Sequence, residues 1–342
     1  MLSRNAERVY WLGRYIERTE DTARLLKAFT QVMLDIPKGK KISWNMLLQI
    51  LLSEHEFNKL YDVVNEQNVI SFLLNDIENP SSIRSCVRAA RENARTSRDI
   101  IPLEGWEMLN DLNLLVKHSS EKTIHRKERY KYLSKIISSA QQFNGMIQSS
   151  LSRNQAYEFL RIGALLERAD MTTRILDVAS GILLRRDVAV GSLDSLIWLE
   201  ILKAQNAILM YRALNGPVIV PTKVLTFILH KEDFPRSIEF CLREMNNYFL
   251  SLPDSKQCQS SYKKLSTQLH IFDKSKGVDY EFLHDFFDDI QKGLIEMHNT
   301  IATTWFPKVR EVVISAAEED ETQATDAKEV SEKTQTQTQT QA

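Results

Sequence analysis

The chain has 342 residues, enough for a large core, and its 43% hydrophobic and 26% charged residues are ordinary for a globular protein. A formal net charge of −1 excludes the strongly basic class of nucleic-acid-binding proteins. Ten glycines and eight prolines are too few for the many tight turns of antiparallel sheets. The composition therefore predicts an all-α fold with long helices.

The three cysteines, Cys86, Cys241 and Cys258, include no CxxC pair. A sparse, odd-numbered set is typical of a reducing compartment. Charges interrupt the first residues, and no segment approaches the roughly 20 apolar residues of a membrane span. We therefore expect a cytoplasmic protein without membrane contact, in which Cys86 and Cys241 are small core residues.

In chain order, apolar residues at helical spacing predict a long first helix over 4–34, ended by proline and glycine at 37–39. Further helices are predicted over 44–52, 55–64, 66–76, 83–98, 104–116, 122–151, 154–184, 193–203, 205–214 and 221–230. The last predicted helix covers 280–313, with a kink at Pro307. Residues 315–342 are acidic and then alternate Thr with Gln, which predicts a disordered tail.

The most informative feature of the sequence is an internal duplication. Residues 13–26 match residues 163–176 at an offset of 150, and residues 72–88 match 227–243 at an offset of 155. Two matches in the same order predict a duplicated helical unit. We expect pseudo-repeats over 1–151 and 152–314 that share one core in a single multi-helix bundle over 1–314.

Each copy carries one charged helix face. Residues at i, i+4, i+7 and i+11 lie on one side of a helix, because eleven residues make about three turns. The two sets are Gly13, Glu17, Glu20 and Arg24, and Gly163, Glu167, Asp170 and Arg174, with Arg14, Arg18 and Arg168 as further candidates. A glycine inside a helix is destabilising, so its presence in both copies indicates close approach by another helix or a ligand.

Two interpretations of these faces are open. In the first, they form a polar seam of ion pairs between the two copies. Its candidate pairs are Glu17 with Arg168 or Arg174, and Glu167 with Arg18 or Arg24. In the second, the faces converge on an anionic or peptide-like ligand in an accessible cleft. The seam is favoured, because structural ion-pair networks also collect charges.

A second charged face lies on the predicted helix 83–98. Its arginines follow helical spacing and are Arg84, Arg88, Arg91, Arg95 and Arg98. A solvated face is the usual interpretation of such a run. Because Glu92 is the only acid within it, binding of an anion or a partner is the alternative.

The sequence contains none of the common catalytic or cofactor motifs. It has no Walker loop, GxGxxG, GxSxG or HExxH, and only Glu281-Phe282-Leu283-His284 fits the ExxH pattern of di-iron bundles, which needs two copies. We therefore expect no metal and no cofactor, name no catalytic residue, and leave open whether the protein is an enzyme.

Three ordered segments resemble the motifs of the bacterial alpha-E domain family. They are residues 2–18, including Tyr15-Ile16-Glu17-Arg18, residues 82–95, and residues 165–172, Leu165-Leu166-Glu167-Arg168-Ala169-Asp170-Met171-Thr172. The resemblance covers about residues 1–314 and implies an all-helical fold of unassigned activity. Ala164 and Met171 replace the Arg14 and Asp21 of the first copy, so any site need not be symmetric.

The resemblance also implies an accessory role beside a circularly permuted ATP-grasp ligase, a transglutaminase-like peptidase and sometimes a proteasome-like hydrolase. We therefore expect a non-catalytic scaffold in a system that makes, modifies or degrades peptides, with no nucleic-acid partner. The alternative is an enzyme or ligand-binding protein that uses the paired Glu/Arg faces. A metal-dependent bundle is a third, weaker hypothesis.

Overall fold

The computed structural model describes residues 1–35, 43–118, 126–184, 191–272 and 280–307. This part of the chain contains fourteen α-helices and no strand, so the predicted all-α class is confirmed. Residues Met1–Phe306 form one compact unit. The predicted boundary at 314 and the predicted tail lie outside the described residues.

The helices divide into two series of seven. The first series is α1 (Ser3–Asp35), α2 (Asn45–Ile50), α3 (Glu54–Leu60), α4 (Glu66–Leu74), α5 (Ile83–Arg95), α6 (Leu103–Lys117) and α7 (Arg126–Ser150). The second is α8 (Gln155–Leu184), α9 (Gly191–Ala204), α10 (Ile208–Asn215), α11 (Pro221–His230), α12 (Ile238–Ser251), α13 (Lys256–Leu269) and α14 (Tyr280–Trp305).

Local sequence explains where several helices begin and end. The Ser82 hydroxyl accepts a hydrogen bond from the Ser85 amide at the start of α5, and the Ser237 hydroxyl accepts one from the Phe240 amide at the start of α12. Each hydroxyl satisfies an amide that the first turn of a helix leaves free. These caps stand at equivalent positions of the two series.

Three predicted helices end at least three residues too late. One is the predicted helix 55–64, which corresponds to α3; α3 ends at Leu60. Helix α14 ends at Trp305 and does not continue through Pro307, because a residue that precedes proline disfavours the helical conformation. Helix α5 ends at Arg95, so Arg98 lies in the following turn and not on the helix.

The core is organised around α1 and α8, which pack against each other along their length. In the first series α1 also packs on α5 and α7, and in the second α8 packs on α12 and α14. The long helices therefore occupy equivalent central places, each between equivalent neighbours. None of the described helices has the length and apolar character needed to cross a membrane.

Two glycines bring α1 and α8 together. A Cβ atom placed on Gly13 would lie 2.1 Å from the backbone oxygen of Leu160, and one on Gly163 would lie 2.1 Å from that of Tyr10. Leu160 follows Tyr10 by the same 150 residues that separate the glycines. This reciprocity is what a twofold axis between the two helices produces. Only glycine permits backbones this close, so the prediction of close approach by a helix is confirmed.

Candidate functional site: a buried Glu-Arg seam

The crossing of α1 and α8 places the two charged faces against each other. On one side Glu167, which is 1% exposed, accepts hydrogen bonds from two arginines of α1. The Arg14 Nε atom lies 2.7 Å from Glu167 Oε2, and the Arg18 Nε atom lies 2.5 Å from Glu167 Oε1. A second Arg18 nitrogen lies 3.0 Å from Oε2, so Arg18 binds this carboxylate with two parallel bonds.

The other side repeats this arrangement with the roles of the helices exchanged. Glu17 on α1 is fully buried, and Arg168 on α8 donates to its two oxygens at 2.6 and 2.8 Å. Of the candidate pairs, the structure therefore contains Glu17 with Arg168 and Glu167 with Arg18. The two pairs are related by the same reciprocity as the two glycines.

Glu17 and Glu167 each have a second arginine nearby, but these two arginines come from different elements of the fold. Arg14 of α1 binds Glu167, but the residue equivalent to Arg14 on α8 is Ala164. Glu17 is approached instead by Arg236, whose NH2 atom lies 3.4 Å from Glu17 Oε1. Arg236 belongs to the turn between α11 and α12.

Arg236 was not among the predicted site residues. Its guanidinium also donates to Asp21 Oδ1 at 2.6 Å and to Glu20 Oε1 at 3.0 Å, and its side chain is 10% exposed. Its counterpart at the offset of 155 is Ser81, and the counterpart of Asp21 is Met171. Arg236 of the second copy and Asp21 of the first are thus both replaced at the equivalent position of the other copy. This joint difference between the copies is the sequence signal that could have predicted their pairing.

The remaining charged residues pair within their own helices. Arg24 binds Glu20 at 2.8 Å, and Arg174 binds Asp170 at 2.9 Å, both at i, i+4 spacing. The candidate partners Arg24 for Glu167 and Arg174 for Glu17 are therefore wrong. These arginines lie about two turns beyond Glu17 and Glu167, where each pairs with an acid of its own helix.

Charge and burial oppose each other in the seam. Burial raises the pKa of Glu167, but Arg18 and Arg14 outweigh it and hold the pKa at about 2, below the ordinary 4.5. The pKa of Glu17 is likewise lowered, because Arg168 and Arg236 outweigh its burial. The two aspartates differ from these glutamates. Burial outweighs Arg236 and raises the pKa of Asp21 to about 7. Burial also raises the pKa of Asp170 despite Arg174.

Acid should weaken the seam through Glu167. Because its folded-state pKa of about 2 lies below the ordinary 4.5, its contribution is complete above pH 4.5 and is lost as the pH falls toward 2. A shift of this size corresponds to about 3 kcal/mol of folding free energy. Urea unfolding of the wild type and Glu167→Gln should therefore show a smaller difference in stability at pH 3 than at pH 7. A difference of equal size at both values would contradict this, and Asp21, present in both proteins, cancels in the comparison.

The seam is closed and electrically almost balanced. It brings together five carboxylates and six guanidiniums: Glu17, Glu20, Asp21, Glu167 and Asp170 with Arg14, Arg18, Arg24, Arg168, Arg174 and Arg236. The carboxylates of Glu17 and Glu167 are 0 and 1% exposed. The accessible cleft that the ligand interpretation requires is therefore absent at these residues, because the two faces bind each other.

Cys86 and Cys241 lie at equivalent points beside the seam. Both are fully buried, and each thiol faces the carbonyl oxygen of a proline, Pro80 at 3.7 Å and Pro235 at 3.8 Å. Burial raises the pKa of each thiol to about 12, despite the nearby Arg18 and Arg168. The thiolate is the reactive form, so these cysteines are chemically inert in the folded protein.

Thiol labelling should report this burial. Cys86, Cys241 and Cys258 are all free and buried, so Ellman's reagent should modify none of them in the native protein at pH 8 and all three after unfolding in denaturant. Rapid modification of one thiol in the native state would show that a cysteine is accessible and would contradict the structure.

The basic face of α5 has two parts. Arg88 is exposed and Arg84 is half-buried, and neither forms an ion pair with any described residue. The rest of the face is engaged: Arg95 binds Glu92 at 2.6 Å, and Arg91 donates to Asn110 Oδ1 at 2.6 Å. Arg95 stays about half exposed within its pair, so the predicted face remains solvated there, and the N-terminal part is the region where no described acid pairs with the arginines. Beyond the helix, the Arg98 guanidinium lies over the ring of Trp106, 4.5 Å from its centroid.

The single ExxH match does not form a carboxylate-rich metal site among the described residues. His284 Nδ1 lies 2.9 Å from Asp177 Oδ1, and the imidazole is about half exposed. The bond to Asp177 raises the pKa of His284, which favours the imidazolium form and disfavours metal binding.

Comparison with known families agrees with these motifs. The Alpha-E model, described as a predicted alpha-helical domain with a conserved ER motif, matches residues 1–306. The chain belongs to the Alpha-E family. The matched segment ends where the compact unit Met1–Phe306 ends. Neither the search of curated proteins nor that of solved structures gave a match. In this Alpha-E protein, the pairs Glu17-Arg18 and Glu167-Arg168 are the Glu-Arg pairs that meet in the seam.

Proposed function

We propose that this Alpha-E protein is a non-catalytic helical scaffold, an accessory component of a system in which an ATP-grasp peptide ligase and a transglutaminase-like protein make or modify peptides. One observation carries the non-catalytic part: the seam carboxylates are buried and bound by internal arginines. A general acid or base must reach a proton of its substrate, and these groups reach only each other. The ligase system is proposed from the resemblance of the sequence motifs.

The N-terminal part of the basic face is the surface that we assign to the partner. Arg88 is exposed and Arg84 is half-buried on the same side of α5, and no described acid neutralises either of them. Arginine binds carboxylates through two parallel hydrogen bonds and is enriched at protein interfaces. An acidic patch on the ligase or the peptidase would be its complement.

A pull-down from the protein's own host tests this proposal. Wild-type protein should recover an ATP-grasp or transglutaminase-like protein, and the double variant Arg84→Ala/Arg88→Ala should recover much less. The control is Arg243→Ala, which stands at the position equivalent to Arg88 on α12 and is paired with Glu232 at 3.1 Å. Recovery of no such partner by the wild type would overturn the proposal, and equal recovery by the double variant would overturn the assignment of the surface.

A second candidate function is binding of a small anion, and a cavity beside the seam favours it. The cavity has a volume of about 410 Å³ and lies between α1, α7 and α9. Arg24, Lys27 and Lys203 line it together with the single acid Glu200. Glu200 pairs with Lys203, and Arg24 pairs with Glu20. Lys27 is therefore the cation of this wall that no described acid neutralises, and it is the group that would bind an anion.

Thermal shift measurements with glutamate, citrate and inorganic phosphate test this second function. Lys27 donates to the Ser134 hydroxyl at 3.0 Å and lies over the Tyr130 ring, so it is well placed on the cavity wall. A stabilising compound should act on the wild type and on Lys264→Ala, an exposed-lysine control, but not on Lys27→Ala. If none of the three compounds raises the melting temperature, or if Lys27→Ala responds like the wild type, this candidate is wrong.

A further inference from the structure

Two histidines and one glutamate meet where α11, α12 and α13 come together. His230 is the last residue of α11, Glu239 lies in the first turn of α12, and His270 follows the last residue of α13. One possible ligand atom from each residue lies within 4.8 Å of the other two. The three are 9 and 31 residues apart in the chain, so no short metal-binding motif marks them in the sequence.

The carboxylate of this cluster has a buried oxygen without a hydrogen bond. Glu239 is 9% exposed, and its Oε2 atom is buried without a hydrogen bond. The nearest cationic candidate is His270, whose Nε2 lies 3.6 Å from Oε2, beyond hydrogen-bond distance. A buried oxygen without a partner is destabilising, and a bound cation removes that penalty.

The rings of His230 and His270 are placed where both can act as ligands. The Nδ1 atom of His270 lies 2.7 Å from the carbonyl oxygen of Ser266, which can only accept, so Nδ1 carries the proton. The lone pair of the neutral ring is then on Nε2, the atom that faces Glu239. A carbonyl that orients the imidazole in this way is a common second partner of metal-binding histidines. The His230 ring lies beside that of His270, with the two ring centroids 5.5 Å apart.

We propose that His230, Glu239 and His270 bind one divalent transition-metal ion, with Zn²⁺ the best match. Two imidazoles and a carboxylate suit zinc, whereas Mg²⁺ and Ca²⁺ prefer oxygen ligands. Zinc bonds of about 2.0–2.2 Å require the three atoms to approach to about 3.5 Å of one another. Because the His270 side chain is 61% exposed, its ring is free to make this small movement.

Three protein ligands leave one tetrahedral position for water or an external ligand. His230 also lines a cavity of about 280 Å³ between α10 and α11, together with Lys223, Lys231 and Thr226. The proposed ion therefore lies beside a space whose lysines favour an anion. The equivalent positions in the first half, at an offset of 155, are Asn75 for His230 and Arg84 for Glu239, so the metal site belongs to the second half alone.

Zinc titration of the untagged, chelator-treated full-length protein tests the proposal. Calorimetry should show saturable binding of one Zn²⁺ per chain. The variants His270→Ala and Glu239→Gln should each weaken this binding by at least about tenfold, as expected when a metal site loses one of its parts. Circular dichroism of the metal-free proteins should show the same helix content for all variants, since His270 is exposed and glutamine has the shape of glutamate.

His118→Ala is the matched control. His118 follows the last residue of α6, is exposed, and its Nδ1 lies 2.8 Å from the Leu114 carbonyl, as in His270, but it belongs to no such cluster in the described part of the chain. Its variant should bind zinc like the wild type. Absence of saturable binding, or equal binding by wild type and His270→Ala, would overturn the proposal and leave Glu239 and His270 as an ordinary ion pair.

Discussion

Glu17→Gln should lower the free energy of unfolding by about 3–5 kcal/mol, the range for breaking one member of a buried ion pair. The Glu17 carboxylate is fully buried and accepts two hydrogen bonds from Arg168, and Arg236 lies 3.4 Å from it. Glutamine keeps the shape of the side chain but loses the charge. Two buried guanidiniums would then share the carboxylates that remain, at Glu20 and Asp21. Urea unfolding at pH 7 measures the change.

Glu92→Gln is the matched control for this prediction. Glu92 also binds an arginine, Arg95, through two hydrogen bonds at 2.8 and 2.6 Å, but both side chains are about half exposed. Water solvates these charges when the pair is broken, so the change should be much smaller than that of Glu17→Gln, as is usual for an exposed ion pair. If the Glu17 and Glu92 variants lost equal stability, burial would not explain the contribution of the seam to the free energy of unfolding.

Gly163→Ala should destabilise the protein by about 3 kcal/mol or more, at or above the upper end of the usual cost of overpacking a core. The added methyl group would lie 2.1 Å from the carbonyl oxygen of Tyr10. Backbone cannot rotate away as a side chain can, so α1 and α8 must separate. That separation would also lengthen the Glu17–Arg168 and Glu167–Arg18 bonds. Gly13→Ala, which meets the Leu160 oxygen at the same distance, should have an effect of similar size.

Gly145→Ala separates this clash from the general effect of glycine in a helix. Gly145 lies within α7, is exposed, and a Cβ atom there would meet nothing within 4 Å. Alanine should therefore stabilise the protein by about 0.5–1 kcal/mol, because it restricts the unfolded chain and favours the helix. A stabilising effect of Gly163→Ala as well would show that the two helices are not in contact at the glycines.

A comparison of Glu17→Gln with the double variant Arg84→Ala/Arg88→Ala also tests the proposed function. If the seam is structural, Glu17→Gln should lose stability while Arg84→Ala/Arg88→Ala keeps it, and only the latter should lose the partner directly. Partner recovery by Glu17→Gln, measured below its melting temperature, should then equal that of the wild type. Loss of the partner in a folded Glu17→Gln protein would instead place the seam in the interface.

Helix positions and the charged faces could be read from the sequence because both depend on local geometry. A helix places residues i, i+4, i+7 and i+11 on one side whatever lies opposite, so Glu17 and Glu167 were recognised together with their arginines. The 150-residue offset then indicated that the faces are equivalent. The serine caps of α5 and α12 are local in the same sense, since each joins a serine hydroxyl to the amide three residues further on.

Other features depended on how distant segments pack. Arg236 reaches Asp21 from a turn 215 residues away, and His230, Glu239 and His270 meet only because three helix ends converge. No spacing rule applies to such contacts, because the intervening chain sets the distance between them. Arg24 and Arg174 bind acids of their own helices for the same reason: the angle at which α1 and α8 cross decides which charge is nearest. The sequence by itself determined the helices and their polar sides, and tertiary structure decided which charges pair, because pairing depends on separations in space that helical periodicity does not encode.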